Sequence, residues 1–282
     1  MYFCNTILVE KMIGFANAKI NLGLNVLYKR ADGFHELESV FYPVNIFDSL
    51  EILDAKELQF SVYGIDIPGD ANDNLCIKAF KLLQAEFNIE NVHIHLLKNV
   101  PFGAGLGGGS SDAALTLKML NQKFDLKLAD DQLQAYAAEL GSDCAFFIKN
   151  SAQLASGRGE ILKPIPIDLS QKSFLLIKPN FGISTKEAYA NIQTNDKNES
   201  IEQIVSNRVE EWKGRLKNDF EEALFPKYPV LAQIKNQLYD QSAIYAAMSG
   251  SGSTMFGIFE NEIAAQNAKA FFEQFDYQLF IA

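Results

Sequence analysis

The chain has 282 residues, 48% apolar and 21% charged, the balance of a globular protein with room for one large domain or two of ordinary size. A formal net charge of −10 argues against nucleic acid or an anionic membrane as the main partner, and an anionic small molecule would need positive charge concentrated locally. Cys4, Cys76 and Cys144 are scattered without a C-x-x-C pair, and no apolar run is long enough for a membrane span. This argues against disulfides, structural zinc and membrane insertion, and makes the cytoplasm the expected compartment.

In chain order, the first clear element is a strand from Gly14 to Tyr28. There Ile20, Leu22, Leu24 and Val26 alternate with Lys19, Asn21, Gly23 and Asn25, the pattern of a half-buried strand with one polar face. A lysine in that position is ordinarily solvated. A turn at Asp32-Gly33 leads into a second strand, Leu37–Val44, followed by strands over Ser49–Leu53 and Leu58–Ile67. Leu75, Ala79, Leu82, Leu83 and Phe87 then mark a helix that Asn72 or Asp73 can cap. His93 and His95 share one face of the strand Val92–Leu97. With no third ligand nearby, an ordinary strand face is favoured over a metal site.

Pro101 to Ala114 reads Pro-Phe-Gly-Ala-Gly-Leu-Gly-Gly-Gly-Ser-Ser-Asp-Ala-Ala, with five glycines in the seven residues from Gly103 to Gly109. Such density permits φ > 0 and lets successive N–H groups converge on an anion. Ala113, Leu117, Leu120 and Phe124 form one helical face directly behind it, so the loop ends at a helix N-terminus, where the macrodipole favours phosphate. Gly103, Gly105 and Gly108 also fit G-x-G-x-x-G, but Pro101 interrupts the strand, and Asp125, in the place of the ribose carboxylate, follows a helix. An ordinary P-loop is excluded because Gly109-Ser110-Ser111 lacks its lysine. A glycine-rich turn serving only strand–helix packing is the bland alternative.

Asp130–Glu139 is expected as a helix ending at Gly141, and Asp143 as an N-cap before an apolar run. Ala155–Glu160 is expected to form a tight hairpin, and Pro164-Ile165-Pro166 to mark a domain boundary. Beyond it come a strand at Ser173–Lys178, a capping box Ser184-Thr185-Lys186-Glu187 opening a helix with Tyr189, and a polar, mobile stretch Gln193–Ser200. Helices near Val209–Leu224 and Pro229–Tyr239, strands at Ala243–Ala247 and Met255–Phe259 around a Gly250/Gly252 turn, a helix Glu262–Phe275 and a last strand complete a small α+β sandwich.

Across the whole glycine loop the chain resembles the GHMP kinases. The long form Gly-Ala-Gly-Leu-Gly-Gly-Gly-Ser-Ser-Asp-Ala-Ala is similar to the branch that phosphorylates 4-diphosphocytidyl-2-C-methyl-D-erythritol. Ala16-Asn17-Ala18-Lys19-Ile20-Asn21-Leu22 resembles that branch's first motif, Gly141-Ser142-Asp143-Cys144-Ala145-Phe146 its catalytic aspartate segment, and the Gly250/Gly252 turn the third GHMP motif. The resemblance spans about residues 13–282, so residues 1–11 read as a variable extension, with Met12 a second candidate start.

It implies a two-domain α+β fold, an N-terminal part (1–164) like ribosomal protein S5 domain 2 and a ferredoxin-like C-terminal part (165–282). It also implies ATP and Mg²⁺ as cofactors, Lys19 and Asp143 as catalytic residues, and a monomer or homodimer. The implied phosphate loop is Pro101, Gly103, Ala104, Gly105, Leu106, Gly107, Gly108, Gly109, Ser110 and Ser111, with Asn74 near the adenine and Ser110 or Ser111 touching Mg²⁺. Asn21, Phe34, His35, Thr185 and Tyr189 are the implied acceptor contacts. Phe34 stands where the branch carries tyrosine, which removes a phenolic O–H. Another GHMP small-molecule kinase, of homoserine, sugar or mevalonate type, and a non-catalytic nucleotide-binding regulator remain as alternatives.

Overall fold

The structure, a computed structural model, describes residues 12–190, 192, 194 and 199–282. The extension 1–11 and most of the polar stretch 193–200 therefore lie outside the described residues. Separate strands were expected at Gly14–Tyr28, Leu37–Val44 and Ser49–Leu53. Instead, β1 (Met12–Lys29) and β2 (His35–Asp54) form one continuous hairpin. The segments expected as two strands are one because β1 pairs along both, with Pro43 opposite Lys19 and Asn45 taken up in a bulge where the register shifts. On its other side β2 pairs with β5 (Gln153–Gly157) along its first part and with β4 (Val92–Lys98) along its last. β3 (Gln59–Gly64) runs parallel to β4, and β6 (Ile161–Pro164) closes the other end.

Helices α1 (Leu75–Phe87), α2 (Gly108–Lys123) and α3 (Asp130–Leu140) pack together against this sheet, followed by the short α4 (Phe146–Lys149). Asn74, rather than Asn72 or Asp73, caps α1, its side chain accepting from Cys76 N at 2.9 Å. Gly141 ends α3 at φ 173°, extended backbone open to any residue. Asp143 caps nothing, since α4 begins after Ala145.

The second sheet has the order β10–β7–β9–β8, from β7 (Ser173–Pro179), β8 (Tyr245–Met248), β9 (Met255–Phe259) and β10 (Tyr277–Ile281). With its intervening helices this is the β-α-β-β-α-β ferredoxin-like plan. β7 is buried on both faces, which explains its unbroken apolar run. Leu175 and Ile177 meet α8 (Pro229–Asp240) and α9 (Glu262–Phe272), while Phe174 and Leu176 share a core with Ala18, Ile20 and Leu22 of β1. The helix expected over Val209–Leu224 is broken: between a 3₁₀ turn at Val209–Glu211 and α7 (Asp219–Leu224) lies a turn in which Arg215 N and Leu216 N donate to Trp212 O, then a bridge to β1 with Leu24 N donating to Lys217 O at 2.8 Å. α5 (Thr185–Ala190) and α6 (Ile201–Val205) precede it. At the start of α5 only half of the expected capping box forms, Glu187 N donating to Ser184 Oγ, because the Glu187 carboxylate instead binds Tyr228 and Lys227.

Candidate functional site

The polar face of β1 is no solvated edge. Lys19 and Asn21 are 3% and 2% exposed and form the floor of a cleft of about 350 Å³ between the two sheets. Gly23, at φ +70°, introduces a bulge that shifts the register, so Leu24 leaves the face of Ile20 and Leu22 and lines the cleft. Lys19 Nζ donates to Asn21 Oδ1 at 2.6 Å and lies 3.3 Å from Asp143 Oδ2 and 4.5 Å from the centre of the Phe41 ring. Asn21 Nδ2 in turn donates to Ser39 Oγ at 2.8 Å, and Ser39 Oγ to Gly23 O at 2.6 Å. This relay pins the ammonium beside one carboxylate at the cleft floor.

Above it runs the glycine loop. Gly103, Gly105 and Gly107 alternate in the left-handed region at φ +60°, +77° and +70°, the backbone form in which N–H groups converge into an anion-binding concavity. Gly107 then caps α2, whose 16 residues point their N-terminus into the same space. The flanking side chains do other work. Pro101, Ala104 and Leu106 are buried, and their backbone makes the contacts: Lys19 N donates to Leu106 O at 2.9 Å and Thr254 N to Ala104 O at 3.4 Å.

The glycines themselves divide. A Cβ at Gly105 would stand 2.1 Å from Ser249 O, one at Gly107 2.9 Å from the Phe147 ring, and one at Gly108 2.8 Å from Lys98 Nζ, whereas one at Gly109 would meet nothing within 4 Å. Packing therefore dictates glycine at 105, 107 and 108, and open space leaves Gly109 facing the cavity. Ser111 is buried, and of the two serines Ser110 alone keeps exposed surface.

The turn at Ser249–Ser253 closes on this loop. Ser249 Oγ donates to Gly105 O at 2.8 Å and accepts from Asn21 N at 3.3 Å. Asn218, 1% exposed, donates from Nδ2 to both Met248 O and Gly250 O at 2.8 Å while its Oδ1 accepts from Phe220 N.

At the cleft mouth, His35 from β2 stacks on Tyr189 from α5, centroids 4.9 Å apart and planes 19° from parallel, and Tyr189 meets Phe220 edge-on. Thr185 lines the same wall. Phe34 does not join them: its ring is 54% exposed and lies 4.9 Å from the Arg158 guanidinium. Sequence reasoning missed Ser39, Phe41, Arg158 and Asn218 altogether.

A second hollow of about 620 Å³ opens behind α2, lined by Asn74, Val62, Pro68, Phe102, Gly109 and, at its base, Lys98 and Asp112. There Lys98 (2% exposed) bridges Asp48 (0%) and Asp112 (2%). Its Nζ lies 3.0 Å from Asp112 Oδ2, and Asp48 Oδ1 also accepts from Asn99 N and Val100 N. Burial, with the Asp48 charge, pushes the Asp112 carboxyl up to about 7, although Lys98 pulls the other way. Burial opposes the Lys98 charge, yet Asp112 and Asp48 outweigh it and raise its pKa. A larger hollow between α7 and α8, about 830 Å³, touches this constellation only at Asn218. His93 and His95 stack on one another on the outer sheet face, His93 Nε2 within 2.9 Å of Ser61 Oγ.

A carboxylate held beside an ammonium, facing an anion-binding loop and a helix N-terminus, is the equipment of phosphoryl transfer to a hydroxyl. Residues 74–151 match the family model of the GHMP kinases N terminal domain, and residues 200–278 that of the GHMP kinases C terminal. The chain belongs to the GHMP kinases. Among its relatives, the 4-diphosphocytidyl-2-C-methyl-D-erythritol kinase of Bacteroides thetaiotaomicron is 52% identical over 255 residues, 89% of this chain and 93% of the relative. That of Cytophaga hutchinsonii is 49% identical over 252 residues, with the same shares covered. A solved 4-(cytidine 5'-diphospho)-2C-methyl-D-erythritol kinase superposes with a TM-score of 0.80 at 30% identity, over 96% of this chain and 98% of that one. A homoserine kinase from Cytophaga hutchinsonii reaches 0.73 at 20% identity, over 100% and 96% of the two chains, a likeness of fold alone.

Proposed function

We propose that this protein transfers the γ-phosphate of ATP to the 2-hydroxyl of 4-diphosphocytidyl-2-C-methyl-D-erythritol, giving ADP and the 2-phosphate, in the non-mevalonate route to isoprenoid precursors. The observation that carries the acceptor's identity is the His35–Tyr189 stack across the mouth of the cleft floored by Lys19 and Asp143. Two flat rings with polar edges suit a pyrimidine, and the named relatives support the same acceptor. Residues 1–164 hold the nucleotide on this reading, and residues 165–282 close on the acceptor.

The loop from Gly103 to Ser110 cradles the ATP phosphates through its N–H groups, and the hollow beside Asn74 takes the adenine. Lys19 steadies the charge on the transferred phosphoryl group, Asp143 receives the acceptor's proton, and Asn21 orients Lys19. Mg²⁺ bound with ATP would neutralise phosphate charge, and Ser110 or Ser111 would hold it, Ser110 being the more exposed of the two. The direct test is ADP release across a panel of acceptors, with turnover expected only for the cytidyl-linked one.

Tyr189→Ala should raise KM for that acceptor by roughly 5–150-fold, the worth of about 1–3 kcal/mol of base stacking, while KM for ATP stays nearly constant. Free CDP should compete with the acceptor and not with ATP; failure to compete would remove the base from this mouth. For the loop, Gly109→Val is expected to melt like the unaltered protein yet bind ATP roughly 5–150-fold more weakly, the equivalent of about 1–3 kcal/mol of overpacking against the nucleotide. Calorimetric titration and melting on the same sample check both halves. Valine at 107 or 108 should cost folding itself, because their Cβ positions are already filled by Phe147, Lys98 and Val100.

A further inference from the structure

We propose that Arg158 is the counter-charge for the acceptor's diphosphate and so sets the enzyme's preference for a nucleoside-diphosphate-linked substrate; this rests on the acceptor proposed above. Among the residues lining the cleft the cations are Lys19 and Arg158, and Lys19 is already committed to Asp143 and Asn21. In a chain of net charge −10, a substrate diphosphate needs such a local cation.

The backbone fixes where that cation sits. Gly157 pairs with Leu37 and donates its N–H to Glu36 Oε1 at 2.9 Å, which holds the β5–β6 turn against the strand that begins at His35. At the other end of the turn, a Cβ on Gly159 would stand 3.8 Å from Asp143 Oδ1. Arg158 and Gly159 therefore span from the aromatic mouth to the proton-accepting carboxylate. A substrate with its base at His35 and its reacting hydroxyl at Asp143 must lay its diphosphate along them.

The guanidinium is placed for this. It lies over the Phe34 ring at 4.9 Å and contacts Glu160 Oε1 through Nε alone, at 3.4 Å. Among the described residues neither terminal nitrogen has a hydrogen-bond partner. Two free N–H-bearing nitrogens in a planar fork match the oxygens of a phosphate. Phe34 thus serves as a platform for the arginine.

The test measures dissociation constants of cytidine, CMP and CDP for the unaltered protein, Arg158→Gln and Arg158→Lys, together with KM for the acceptor and for ATP. The unaltered protein should bind CDP more tightly than cytidine by about tenfold or more, as charge-assisted hydrogen bonds allow. Arg158→Gln should erase most of that ratio and raise KM for the acceptor by a similar factor, leaving cytidine affinity and KM for ATP unchanged. Arg158→Lys, with charge but no fork, should keep part of the ratio. If Arg158→Gln weakens cytidine and CDP equally, the arginine merely supports Phe34 and the turn, and the proposal is overturned; an unchanged ratio overturns it too. If the unaltered protein turns over a methylerythritol without the cytidyl diphosphate equally well, the acceptor assignment and this inference fall together.

Discussion

Asp143→Asn is expected to lower kcat by about 10²–10⁴-fold, the usual worth of a positioned acid–base group, with the affinity for ATP nearly unchanged. The substitution is isosteric, so the cleft keeps its shape. What it removes is the anion 3.3 Å from Lys19 Nζ, the group proposed to take the acceptor's proton. In a loose phosphoryl-transfer transition state the proton leaves late, so a carboxylate of ordinary basicity suffices. ATP should be spared because, on the proposed reading, the nucleotide rests on the loop and the start of α2 rather than on Asp143. Steady-state kinetics combined with nucleotide titration separate the two effects. Turnover within a few-fold of the unaltered enzyme would strip Asp143 of its role. It would also reopen the alternative of a nucleotide-binding regulator, against which the intact Lys19–Asp143 pair now stands.

The elements legible in the sequence were those whose period survives folding. Helix α1 and strand β7 fall within a residue or so of expectation because apolar spacing set both. The β2 strand was misread as two because Pro43 and Asn45 are local breakers that a partner along the whole strand overrides. The segment between residues 209 and 224 was misread as a helix for the converse reason: after a turn closed on Trp212 O, Lys217 and Asn218 bridge to Leu24 of β1, a contact no local pattern announces. For the site, Lys19, Asn21 and Tyr189, which line one cleft, and His35, which stacks on Tyr189, were singled out only through the resemblance. A polar strand face looks the same whether water or a cleft lies against it.

The buried triad was within reach of the period-two rule alone. Ile46, Asp48, Leu50 and Ile52 share one face of β2, and Val92, Ile94, Leu96 and Lys98 share one face of β4; all eight are buried. Two opposite charges, each on the apolar face of its own strand, have to find each other or another partner.

That triad carries a large expected stability effect. Lys98→Met should destabilise the nucleotide-free protein by about 3–5 kcal/mol, since it leaves two buried carboxylates without their shared cation. For a chain of this size that corresponds to a fall in Tm of roughly 6–20 °C, at about 2–4 °C per kcal/mol. Asp48 keeps its bonds from Asn99 N and Val100 N, so the greater loss falls at Asp112, whose Oδ1 has no hydrogen-bond partner among the described residues. Removing the charges together should undo most of the damage. Asp48→Asn and Asp112→Asn combined with Lys98→Met present neutral amides to a thioether of similar length, so the triple variant should melt well above Lys98→Met alone. The contrast should sharpen as pH rises, because burial already opposes ionisation of the Asp112 carboxyl and Lys98→Met removes the cation that favours it. A Lys98→Met protein that melts within a degree or two of the parent, or a triple variant no better than the single one, would show that the three groups do not act as a buried charge cluster.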